Sequence, residues 1–141
     1  MYRKILVALE NSRADSSLLP HVEQLALLLR SQLLLVHVAD GWVARNFNHL
    51  KLAESEEMKA DRAYLEETAG KLRAAGLQVF AHLALGDPSA EILKIAETEQ
   101  CDLIAMTSHG HRILGDVIFG SVIREVRHKT SVPVLLVRAS R

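Results

Sequence analysis

A single cysteine, Cys101, leaves the chain no internal disulfide to form. Charge of one sign is also missing: seventeen basic residues balance seventeen acidic ones, so no overall field draws the chain to nucleic acid or to an anionic membrane. No apolar run approaches the ~20 residues needed to cross a bilayer. The opening "MYRKILVALE" has too short an apolar run, followed too soon by charge, for a signal peptide. A cytoplasmic protein is the expectation. A GxSxG signature is absent, and no serine, histidine and acid set assembles by the usual spacings, so no catalytic residue is assigned. His109 and His111 stand two apart with no carboxylate or cysteine at a familiar ligand spacing, and no metal site is expected.

What is present reads as one domain over residues 1–141, long enough for a full core and too short to divide. Short apolar runs recur at Lys4–Leu9, Leu33–Val38, Gln78–Leu83, Asp102–Met106 and Val134–Val137. Most are continuous rather than alternating, which suits strands buried on both faces. Between them, Leu18, Val22, Leu25 and Leu29, then Met58, Leu65, Ala69 and Leu72, each make one stripe at helical spacing. In "GDPSAEIL" Asp87 reads as an N-cap with Pro88 at the first helical position, opening a third helix that runs to about Thr98. Gly76 supplies the left-handed residue that commonly ends a helix. Pro20 fits a first helix starting at Ser16 or Ser17 and would kink one starting earlier. The long connection of residues 39–55 has no clear period; its Trp42 and Phe47 either pin the loop to the body or belong to a flap over a ligand or a partner contact.

Strands separated by crossover helices imply a five-stranded parallel sheet, doubly wound as three α/β/α layers with strand order 3-2-1-4-5. That order reverses between strands one and four, and ligands of such sheets sit beyond the carboxyl ends of the strands at the reversal. "LENS" (Leu9–Ser12) and "MTSHG" (Met106–Gly110) meet there. The second leads into "TSHGHRILGDVIFGSV", rich in glycine and followed by the helical pattern "SVIREVRH".

"ILVALENS", "GDPSAEIL", "MTSHG", "FGSV" and "SVPVLLVR" together resemble the universal stress protein family from Tyr2 to Arg138. Its nucleotide-binding members carry glycine, two residues, glycine, nine residues, then glycine followed by serine or threonine. Gly110, Gly120 and Ser121 match that pattern, and Thr107 stands at its first position. The resemblance implies the adenine nucleotide alpha hydrolase-like fold and ATP or a related nucleotide, with Mg²⁺, as regulatory ligand. Carried over by position, Ala8, Glu10, Val38 and Met106 line the base and sugar, with Gly110, Gly120, Ser121 and Val122 about the phosphates. Arg112 is a further candidate for the phosphates or a solvated loop residue.

Bare backbone at Gly110 and Gly120 lets the chain approach a phosphate closely. A helix opening at Ser121, with Ser121 as N-cap or ligand contact, would turn its free N–H groups toward that anion. Glu10 stands where the family has aspartate and either accepts from the nucleotide or only caps the first helix or faces water. Two rival functions remain open: a member acting only through protein contacts, marked by Thr107, and a slow ATP hydrolase. Pro133 suits an edge strand. The resemblance implies a homodimer through the last strand, Val132–Val137.

Overall fold

The computed structural model describes residues 1–39, 56–109 and 116–140. The segment 40–55, including Trp42 and Phe47, lies outside the described residues, as do Gly110, His111 and Arg112. The elements are β1 (Lys4–Ala8), α1 (Asp15–Leu29), β2 (Gln32–Ala39), α2 (Glu56–Ala74), β3 (Val79–Leu85), α3 (Pro88–Thr98), β4 (Leu103–Ser108), α4 (Asp116–Lys129) and β5 (Val134–Arg138). All strand pairs are parallel and the order is β3-β2-β1-β4-β5. β1 is the hub: Val7 lies opposite Leu35 on one side and Ala105 on the other.

The continuous apolar strands bury two faces. Ile5, Val7, Leu33, Leu35, Leu103 and Ala105 pack against Leu18, Val22 and Ala26 of α1 and Leu65, Ala69 and Leu72 of α2. The alternate residues Leu6, Ala8, Leu34, Val36, Ile104 and Met106 pack against Ile92 and Ile95 of α3 and Val122 and Val126 of α4. Each fully buried leucine or isoleucine contributes about 1.5–3 kcal/mol of transfer free energy, so this two-sided burial dominates the stability.

The ends follow local chemistry. Asp87 accepts the N–H of Ala90 at 3.0 Å and Pro88 occupies the first turn of α3, as expected. Gly76 has φ +102° after α2, and the N–H of Leu77 returns to the carbonyl of Leu72. α1 begins at Asp15, a residue earlier than the sequence suggested, with Pro20 inside it. The carbonyl of Ser16, which Pro20 cannot satisfy, is tolerated because both residues are exposed to water.

α4 departs further from expectation. It opens at Asp116, not at Ser121, so Ser121 is not its N-cap and Gly120 is its fifth residue. The apolar spacing Ile118, Val122, Val126 continues through the glycine, and this period outweighs the Gly-Ser pair as a boundary signal.

Candidate functional site

Beyond β1 the chain turns through Asn11 at φ 58°, a left-handed conformation that asparagine tolerates. Asp15, 1% exposed in the first turn of α1, holds this turn. Its Oδ1 accepts the N–H of Glu10 at 2.9 Å and its Oδ2 accepts that of Asn11 at 2.9 Å. Tyr64 of α2 donates its hydroxyl to the same Oδ2 at 2.6 Å. Burial, then this acceptor, push the Tyr64 phenol well above its ordinary value.

A second carboxylate extends the network. Asn11 donates through Nδ2 to Asp61 Oδ1 at 2.7 Å, and Asp61 Oδ2 stands 3.4 Å from His37 Nε2. His37 Nδ1 lies 2.8 Å from the carbonyl of Leu9. A carbonyl only accepts, so Nδ1 carries the hydrogen there. The loop after β1 is thus fixed by side chains of α1, α2 and β2.

That framework presents Glu10. Its carboxylate is 9% exposed and meets His109, just past β4, with Nε2 at 2.9 Å from Oε1 and 2.8 Å from Oε2. Glu10 therefore does not cap α1; Asp15 takes the backbone amides and leaves the Glu10 side chain to span the crevice between β1 and β4. Burial raises its carboxyl above the ordinary 4.5, while the hydrogen bond and charge of His109 pull it back. A proton held more tightly in the folded state gives stability that is fully present below 4.5 and is lost as pH rises through the raised value. Glutamine has no such proton, so the Tm of Glu10→Gln minus that of the natural protein should become more positive between about pH 4 and pH 7 in thermal melts.

Of the residues picked from sequence, Ala8, Val38, Met106 and Val122 come together in the layer between the sheet and the α3/α4 helices, at the carboxyl ends of β1, β2 and β4. Gly120 is exposed and Ser121 half-buried on α4. Gly110 and Arg112 fall outside the described residues. His109 was passed over as a weak metal ligand. Its position one residue past β4, facing the end of β1 across the reversal, was the signal available for it. Among the described residues no group of three or more His, Cys, Asp or Glu side chains is placed to hold a metal ion.

Thr107 belongs to β4, 2% exposed, opposite Val137 of β5. Strand alternation sends its side chain the way of Leu103 and Ala105, toward α1, and away from the face of Met106 and Ala8. Its hydroxyl is buried with no hydrogen-bond partner among the described residues. Thr107→Val keeps the shape and removes that cost. It should stabilise the fold by about 1 kcal/mol, read as a rise of roughly 3 °C in Tm.

Cys101, buried between α3 and β4, is pushed up to about 11, first by desolvation. Against an ordinary 9.0, its thiolate population at neutral pH falls about a hundredfold. Iodoacetamide should label it at least that much more slowly in the native state than in urea.

A doubly wound parallel sheet with a buried acid–histidine pair at its reversal point places the chain in the doubly wound α/β class. The chain matches the model of the universal stress protein family over residues 1–138 and belongs to that family. It is 32% identical to the universal stress protein MJ0577 of Methanocaldococcus jannaschii over 158 residues, covering 98% of this chain and 96% of that one. The solved structure of that protein superposes with a TM-score of 0.81 over 100% of this chain and 99% of the other. A universal stress protein from Archaeoglobus fulgidus in complex with dAMP is 22% identical, with a TM-score of 0.71 over 96% of this chain and 98% of its own. Another in complex with cAMP is 18% identical, with a TM-score of 0.72 over 99% and 98%. The adenine nucleotide alpha hydrolase-like fold expected from the sequence is the one found.

Proposed function

We propose that this universal stress protein binds an adenine nucleotide, ATP with Mg²⁺ or a close relative, as a regulatory ligand in the crevice between β1 and β4. The observation that carries the reading is the Glu10 carboxylate, withdrawn from water at the sheet's reversal point and held by His109. A buried acid at a crevice is expensive unless it has partners, and a sugar's hydroxyl groups are suitable further donors. Ala8, Val38 and Met106 offer an apolar wall for a base. Gly120 and Ser121 offer a helix surface without bulk for the phosphates, with Val122 behind them. Gly110 and Arg112 complete the proposed set. Fold relatives in complex with dAMP and cAMP lend the ligand class its support.

Isothermal calorimetry with ATP and Mg²⁺ is the test. Saturable heat with a matching thermal shift is the expected result; neither at millimolar ATP would leave the domain as a protein-contact module. ADP release over hours, absent from a Glu10→Gln control, would instead favour a slow hydrolase.

The same reading includes a second copy of the chain as partner and the cytoplasm as the working compartment. β5 is an edge strand, Leu136 is 38% exposed on it, and Val134, Leu135 and Val137 are half-buried. Such an edge is a template for another strand. Sedimentation at micromolar concentration should find a dimer along Val132–Val137, and a monomer would refute it.

A further inference from the structure

We infer that His109 is a positioning residue for the nucleotide's sugar: it orients the Glu10 carboxylate across the β1–β4 crevice. The inference rests on the nucleotide reading above and adds to it the residue that sets selectivity for ribose.

Glu10 is held at both ends. Its backbone N–H goes to Asp15 Oδ1 at 2.9 Å, and its carboxylate straddles His109 Nε2 at 2.8 and 2.9 Å. Three flexible dihedrals separate an ordinary glutamate from one geometry, whereas here the path between the two anchors is fixed. A carboxylate offers about four lone-pair sites; with one N–H shared between its two oxygens, the outer site on Oε2 is unused and that on Oε1 carries only the long 3.3 Å hydrogen bond from the Ser12 hydroxyl. Two neighbouring hydroxyl groups, the 2′ and 3′ groups of a ribose, match two parallel acceptors. Without His109 the longer side chain would swing among rotamers, and ordering it on binding would cost affinity.

Among the described residues, few groups act on the Glu10 carboxyl. From α1, Asp15 acts on Glu10 in the same sense as burial, raising its carboxyl. Ser12 Oγ lies 3.3 Å from Oε1. Asp61 of α2 joins through Asn11, and His37 of β2 through Asp61 and the carbonyl of Leu9. Among the described residues, His109 is the cationic group that faces the carboxylate.

The experiment compares the affinities of ATP and 2′,3′-dideoxy-ATP by calorimetry. The two ligands share a triphosphate, whose contacts cancel in the ratio, and any partial unfolding of a variant cancels too. The natural protein should prefer ATP by about tenfold. His109→Ala should bring the ratio to within about twofold. His109→Gln, which keeps a neutral donor, should retain most of the preference. ATP binding with an unchanged ratio in His109→Ala would make His109 a structural tie and overturn this inference alone. No binding of either ligand to the natural protein would overturn the nucleotide reading and this inference together.

Discussion

Gly120→Val is expected to leave the fold intact and to reduce nucleotide affinity at least a hundredfold. Gly120 lies in the second turn of α4, is exposed, has no positive φ, and a Cβ built on it meets nothing within 4 Å. Neither backbone geometry nor packing asks for glycine, which in a helix interior costs about 1 kcal/mol relative to alanine. Valine recovers a few tenths of that, so Tm should hold or rise slightly. The bare surface gains its meaning if a phosphate lies against it, where two methyl groups would displace the ligand. Gly70 of α2 is the control: it too is open on all sides, and Gly70→Ala should stabilise the helix without touching affinity. Calorimetry and melts on the pair separate the effects. Undiminished affinity in Gly120→Val would remove the phosphates from this helix.

Asp15→Ala should be the most damaging single change to stability, at roughly 3–5 kcal/mol or a fall in Tm of about 10 °C or more. The carboxylate has 1% exposure and three donors, two backbone amides and the Tyr64 hydroxyl. Truncation leaves three part-buried hydrogen bonds without their acceptor, and each orphaned donor costs up to about 1–3 kcal/mol. Tyr64→Phe removes only one donor and should cost about 1 kcal/mol. Urea denaturation of both variants measures the difference, and a loss below 1 kcal/mol in Asp15→Ala would mean that the turn at Asn11 stands on its own. The tyrosine supplies a second reading. Its phenol is held above the ordinary value partly by Asp15, so in the alanine variant it should ionise at lower pH, visible in the ultraviolet.

The strands and their order were legible because their code is local. A run such as "LLLVHV" announces burial on both faces, and the crossover rules leave few topologies for five parallel strands. The cap of α3 was legible for the same reason, since Asp87 and Pro88 carry their own chemistry. The site was harder. Glu10 and His109 lie 99 residues apart, and only the assembled sheet brings them into contact. Asp15 looked like any acid in a first helical turn, and nothing nearby betrays that it accepts from a tyrosine 49 residues on. At α4, glycine and serine side by side suggested a boundary that the apolar period through Val122 and Val126 overrides. Thr107 read as a departure from the motif, yet as a strand residue it turns its side chain to the opposite face of the sheet.

The β1–β4 seam is fastened twice, by different means. At its start, Asp102 accepts the N–H groups of Arg3 and Lys4 at 2.9 and 3.1 Å; at its finish, Glu10 and His109 close over the crevice. One clasp is a carboxylate on backbone amides, while the other joins two side chains. Opening the upper clasp therefore lets the rim breathe without unzipping the strands beneath it. Deuterium uptake should reveal two kinetic classes along one ladder, fast near Leu9 and slow at Ile5 and Leu6.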